Sequence, residues 1–295
     1  MIFRVACYQG PATDHPDGSP DPAADREANL TALEHAAAFA AEGEARLLVV
    51  PEMFLTGYRI GPDAVRALAE PADGPSAAAV AEIARRNGVA IVYGYPESDL
   101  GGDVYNAVQL IDREGTRLAN YRKTHLFGAV DREAFTPGGE LVVQAELDGV
   151  TVGLLICYDV EFPEAVRAHA LAGTELLVVP TALMRPFEYV SRQIVPARAI
   201  ESQLFIAYTN RVGVERDVEY CGESRVVAPD GRELSTADAA EGLLLADIDL
   251  ADLASSRELN TYLTDRRTDL YPEPRPESRP GQQPDPRPDQ HGTSL

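Results

Sequence analysis

The sequence predicts an α/β protein with mixed sheets, and three observations carry that prediction. Short apolar runs alternate with longer amphipathic stretches through most of the 295 residues, the pattern of strands interleaved with helices. Two neighbouring runs, residues 105–112 and 117–121, are joined by Arg113-Glu114-Gly115-Thr116. That connection is a hairpin signal, so the sheets are not purely parallel. No internal repeat interrupts the alternation.

In chain order, strands are expected at residues 3–9, 47–50, 90–95, 105–112, 117–121, 151–157, 176–179, 205–209, 224–228 and 242–249. Helices are expected at residues 23–42, 76–87, 163–171 and 188–202. In the first helix Leu30, Leu33, Ala37 and Ala40 fall on one face. In the third, Pro163 suits a first helical turn and Glu164 suits its positive dipole end. Residues 11–22 hold four prolines and three aspartates and read as a loop. From Pro272 the composition turns to Pro, Arg, Gln, Asp and Glu. Such a tail buries too little surface to order itself. The expected division is therefore a main domain over 1–250, an extension over 251–271 and a disordered tail over 272–295.

With 45% hydrophobic and 25% charged residues the chain reads as globular. No apolar stretch reaches the roughly 18 residues that a membrane span needs. The opening Met1-Ile2-Phe3-Arg4 reads as a first strand, not as a secretion signal. A cytoplasmic location is expected. The net charge of −21 argues against nucleic acid and anionic lipid as partners. It is also a plain solubility feature. Cys7, Cys157 and Cys221 form no CxxC pair, and the five histidines show no HxH or HExxH spacing. Metal catalysis has no support in that pattern.

Three reactive residues stand at expected strand ends far apart in the chain. Cys157 closes the apolar run Gly153-Leu154-Leu155-Ile156 and leads into a proline-started acidic helix. Glu52 follows the buried run Leu47-Leu48-Val49-Val50-Pro51 and precedes Met53, Phe54 and Leu55. Poor solvation there would raise its pKa toward the general-base range. Lys123 follows the second strand of the hairpin. An ammonium near a thiol favours thiolate and can hold an oxyanion. Each has a plainer reading taken alone: a helix cap for Glu52, a solvated charge for Lys123, a core thiol for Cys157. His125 could pair with Cys157, although a structural hydrogen bond suits it better.

Taken together, PEMFLTGY at 51–58, YRKTHLFG at 121–128 and CYDVEFPE at 157–164 resemble, in order and spacing, the three signature blocks of the nitrilase (carbon–nitrogen hydrolase) superfamily. Pro180-Thr181-Ala182, Asn210-Arg211-Val212-Gly213 and Gly222-Glu223-Ser224 are similar to further family segments. The resemblance implies an α-β-β-α sandwich and a Glu-Lys-Cys triad without metal or organic cofactor. Glu52 would be the base, Lys123 the oxyanion-stabilising cation, Cys157 the nucleophile and the Tyr158 N–H a second oxyanion donor. Tyr58 and Thr181 enter as substrate-side residues of those blocks. Many members carry a second glutamate four residues before the Phe of F-x-P-G. In Phe135-Thr136-Pro137-Gly138 that position belongs to Asp131, with Glu133 two residues later.

The resemblance also implies a small-molecule amide as substrate and a homodimer or higher homo-oligomer as the assembly. True nitrilases resemble C-W-E after the nucleophile. Cys157-Tyr158-Asp159 is closer to the amidase and carbamoylase branches, which points to a small aliphatic or amino-acid-derived amide. Glu161 is either a pocket residue that pairs with a substrate amine or a helix-start carboxylate. A carbamoylase, a nitrilase and a catalytically dead assembly module are the competing readings.

Overall fold

The computed structural model describes residues 1–12 and 22–271. Most of the loop expected over 11–22, and the tail from 272, lie outside them. In chain order the strands are β1 (Ile2–Gln9), β2 (Leu47–Val49), β3 (Ala90–Ser98), β4 (Val104–Ile111), β5 (Arg117–Arg122), β6 (Val143–Leu147) and β7 (Val150–Leu154). They continue with β8 (Leu176–Pro180), β9 (Phe205–Thr209), β10 (Val212–Glu215), β11 (Val218–Cys221), β12 (Arg225–Val227), β13 (Glu233–Thr236) and β14 (Gly242–Asp249). The helices are α1 (Pro22–Glu42), α2 (Pro62–Leu68), α3 (Pro75–Asn87), α4 (Gly128–Ala134), α5 (Pro163–Leu171), α6 (Val195–Ser202) and α7 (Ala251–Leu259).

Among the described residues two six-stranded sheets form, in the orders β14-β1-β2-β3-β4-β5 and β6-β7-β8-β9-β12-β13. The second repeats the pairing pattern of the first, with β10 and β11 as a separate hairpin. In each, an antiparallel edge strand flanks three parallel strands, and two antiparallel strands complete the row. The parallel strands are covered on both faces, which is why their sequences are apolar without alternation. In β2, Leu47 and Val49 face one core while Leu48 and Val50, the latter just past the strand, face another.

Those two cores define the layers. On the outer side of the first sheet, Leu33, Ala37 and Ala40 of α1 and Val80 and Ala84 of α3 pack with Leu48, Ile91 and Tyr93. The inner side, with Val5, Val92 and Val108, shares one cluster with Val152, Leu176 and Ile206 of the second sheet. That cluster continues into Val166 of α5 and Ala199 of α6. The result is an α-β-β-α sandwich. A first compact unit runs from Met1 to Leu263 and takes in α7, whose Leu253 is buried in the core. The stretch expected as an extension, 251–271, is thus divided between this unit and a second one that begins at Thr264. Within the second, Arg267 pairs with Asp269 at 2.6 Å.

Some elements differ from expectation. The strand expected to reach Cys157 ends at Leu154, and Cys157 opens a 3₁₀ turn (Cys157–Glu161). The helix expected from 188 starts as a π turn, Val190–Ile194, in which the Val195 N–H reaches back five residues to the Val190 carbonyl. Pro196 explains it: without an N–H it cannot supply the next α-type bond. The short α2, α4, β6, β10, β11 and β13 carried too little periodicity to be expected. No helix among the described residues is long and apolar enough to cross a membrane.

Candidate active site

Strand ends on both sheets deliver the reactive side chains to one place. Glu52 lies three residues beyond β2, fully buried, at the head of a turn in which Met53 takes a left-handed φ of 50°. Arg211, just past β9, donates to the Glu52 carbonyl at 2.9 Å and the Met53 carbonyl at 3.2 Å. Gly94 of β3 lies so close below that a Cβ there would meet the Met53 nitrogen at 2.4 Å. Lys123 follows β5 directly, and its N–H donates to the Asn106 carbonyl of β4 at 2.8 Å. On its other side Gly138 of the F-x-P-G segment approaches the Arg122 carbonyl, where a Cβ would stand at 2.2 Å.

The Lys123 ammonium is held between two carboxylates, 2.7 Å from Glu52 Oε1 and 2.7 Å from Asp131 Oδ2, with all three side chains fully buried. Asn106 Nδ2 donates to the same Glu52 oxygen at 2.7 Å. Tyr58 OH and the Phe127 N–H donate to Asp131, each at 2.9 Å. Glu52 Oε2 is buried with no hydrogen-bond partner. Burial raises the Glu52 pKa, Lys123 opposes the rise and Asp131 adds to it. For Lys123 burial alone would favour the neutral amine, but Asp131 and Glu52 outweigh it and hold the group charged. The cluster is therefore a fixed ammonium beside a carboxylate with one oxygen free to take a proton.

Cys157 belongs to the same electrostatic group. Burial pushes its thiol pKa up, the Glu52 carboxylate adds to this, and Lys123 together with hydrogen bonds from Thr181 and the Ala182 backbone opposes it. The resting group is a thiol that needs a base. Its φ is +47°, a conformation that costs a non-glycine residue about 1–3 kcal/mol and persists only where neighbours enforce it. Asp159 anchors the backbone beside it. Its fully buried carboxylate accepts from Ile156 N–H at 3.1 Å and Tyr121 OH at 2.9 Å on Oδ2. Its Oδ1 accepts from Thr124 Oγ1 at 2.9 Å and the His125 N–H at 2.8 Å. One side chain thus fastens the turn of Cys157 to the segment of Lys123.

Cys157 opens into a narrow pocket walled by Tyr58, Phe127, Tyr158, Leu183, Met184 and Phe187, with Glu161 also on the wall. Glu52, Lys123, Cys157, Tyr58, Asp131, Tyr158, Glu161 and Thr181 all gather at or around this cavity. Glu133 does not: it is exposed on the opposite side of α4 from Asp131. His125 Nδ1 lies 2.8 Å from Asp159 Oδ1, and its ring stacks on Phe162 at 3.9 Å. It is a structural partner of Asp159. Asn106, Asp159 and Arg211 were not singled out from sequence. Asp159 and Arg211 stood inside the family-like segments without a role of their own, and Asn106 is a polar residue inside the apolar run Val104–Ile111. No group of three or more His, Cys, Asp or Glu among the described residues could hold a metal ion.

Comparison with known proteins identifies the family. The profile of the carbon–nitrogen hydrolase family matches residues 4–258. The chain belongs to the carbon–nitrogen hydrolase family. Within that family it is 49% identical over 271 residues to a Pseudomonas protegens protein named "Hydrolase in pqqF 5'region", covering 92% of this chain and 91% of that one. It is 37% identical over 228 residues to a 2-oxoglutaramate amidase of Bacillus subtilis, covering 77% of this chain and 87% of that one. Among solved structures it resembles a mutant of the amidase from Nesterenkonia sp. AN1, with 34% identity, a TM-score of 0.76 and coverage of 91% and 95%. In that structure the acetamide moiety of fluoroacetamide is covalently attached at the active-site cysteine.

Proposed function

We propose that this carbon–nitrogen hydrolase is an amidase that cleaves a small carboxamide to acid and ammonia through a thioester on Cys157. The carrying observation is the buried Lys123 ammonium, pinned at 2.7 Å to both Glu52 and Asp131 beside the thiol. Burying such ions is costly unless they work. Glu52 Oε2 takes the thiol proton, and Sγ forms a bond to the amide carbon. The Lys123 ammonium and the Tyr158 N–H hold the oxyanion; losing one such donor costs about 10²–10³ in rate. As the C–N bond breaks, Glu52 returns its proton to nitrogen and ammonia departs. A water then gives a proton to Glu52 and its oxygen to the acyl carbon. The C–S bond breaks, the acid leaves and the thiol is restored. Asp131 keeps Lys123 charged while Glu52 cycles.

The same reading carries a cytoplasmic, homo-oligomeric enzyme. All three cysteines are free thiols, and Leu171 and Tyr189 stand exposed on the helical side of the second sheet, where light scattering would register pairing of copies. The decisive experiment is an ammonia-release screen over amides, N-carbamoyl amines and nitriles, with the native chain and Cys157→Ala. Amides should be turned over by the native protein alone. Release of carbon dioxide with the ammonia would identify a carbamoylase instead, and amide turnover surviving in Cys157→Ala would remove the mechanism.

A further inference from the structure

Glu161 has a place in the pocket that the proposed chemistry leaves unexplained. It sits at the end of the 3₁₀ turn that begins with Cys157, and it lines the same cavity. Among the described residues no side chain makes an ion pair or hydrogen bond to its carboxylate. The neighbouring cation is already engaged: Arg198 donates to the Val160 carbonyl at 3.1 Å, the Glu161 carbonyl at 2.7 Å and the Glu201 carboxylate at 2.9 Å. Lys123 is held by Glu52 and Asp131. Burial raises the Glu161 pKa, with Lys123 and Arg198 opposing, so the carboxylate is short of positive partners. The rings of Tyr58, Phe127, Tyr158 and Phe187 line the same cavity. A carboxylate among aromatic faces is a recognisable receptor for an ammonium group.

We infer that the substrate is an amide bearing a cationic amine, and that Glu161 is the counter-ion that selects it. This rests on the amide-hydrolase reading above and names the substrate class for it. The amine meets Glu161 while the amide carbon faces Cys157, and the apolar wall takes the connecting methylenes. An anionic amide finds no lysine or arginine on this wall and meets Glu161 instead. The pocket therefore does not suit an anionic amide such as 2-oxoglutaramate, after which the Bacillus subtilis relative is named.

Isosteric pairs test the inference without assuming a distance. 3-Aminopropanamide is compared with butanamide, 4-aminobutanamide with pentanamide, and succinamate supplies the anionic member. The native enzyme should prefer an amino amide over its isostere by about tenfold or more in kcat/KM in at least one pair, with succinamate the poorest substrate. Part-desolvated charge pairs carry effects of that order. The preference should shrink as salt is raised, and Glu161→Gln should bring the ratio near one. Equal rates within every pair for the native enzyme would overturn the inference. So would a preference that survives in Glu161→Gln, or one indifferent to salt should that variant not fold. Failure of the underlying reading looks different: Cys157→Ala would then keep turning over both members of a pair.

Discussion

At Glu52, burial raises the pKa while Lys123, 2.7 Å away, opposes the rise. Because the folded pKa lies above the unfolded value of about 4.3, the neutral form is the one the fold prefers. The sign follows from linkage: this stabilisation is complete below the unfolded pKa and is lost as pH rises through the folded one. Glu52→Gln keeps the neutral form at every pH and still accepts from Lys123 and Asn106. Its melting temperature should therefore gain on the native protein as pH rises from the unfolded pKa through the folded one, while kcat falls about 10²–10⁴-fold for want of a base. A gap that is flat or narrowing across that range would mean the ion pair outweighs burial. Activity of the native enzyme should fall on the acid side through a pKa above the ordinary glutamate range, since the proposed base must be ionised.

Between elements, the decisive fastening is Asp159. The Lys123 segment leaves the antiparallel strand β5, and the Cys157 turn leaves the parallel strand β7 of the other sheet. Nothing in either strand fixes the distance between them. The Asp159 carboxylate does so through Tyr121, Thr124, the His125 N–H and the Ile156 N–H. Asp159→Ala should leave the buried Ile156 N–H without its acceptor, at about 1–3 kcal/mol, and remove one from the Tyr121, Thr124 and His125 donors. It should also lower kcat by about 10²-fold, the scale set by a misplacement of about 1 Å. Steady-state kinetics alongside urea unfolding would read both. A variant that loses stability but keeps kcat would show that the turn of Cys157 holds its geometry without help.

For the whole molecule, the fold places three thiols in unlike surroundings. Cys7 and Cys221 are 0% and 1% exposed, whereas Cys157 is 9% exposed and opens on the pocket. Iodoacetamide, itself a small amide, should label Cys157 alone in the folded protein and all three cysteines in denaturant. Mass spectrometry of the digested adduct reads the site, and comparable labelling of Cys7 or Cys221 in the native state would contradict the pocket. The same architecture sets how much could be read in advance. Continuous apolar runs such as residues 47–50 and 176–179 announce doubly covered parallel strands, because only a strand buried on both faces tolerates them. Short edge elements such as β13 and α4 give no such signal, since their limits are set by neighbours.

The sequence by itself determined the α/β class, the central strands, the positions of Glu52, Lys123 and Cys157 just past strand ends, and their family. Apolar periodicity and proline placement act within a few residues, and the order and spacing of the motif blocks can be read along the chain without folding it. Only the tertiary structure decided that Asp131, not Glu133, meets Lys123, since residues two apart on a helix project in different directions. It alone revealed Asn106, Asp159 and Arg211 as the supports of the site. Apart from Ile156 beside Asp159, their partners are more than thirty residues away in the chain, and hydrogen bonds between such distant groups come into being only when the chain has folded.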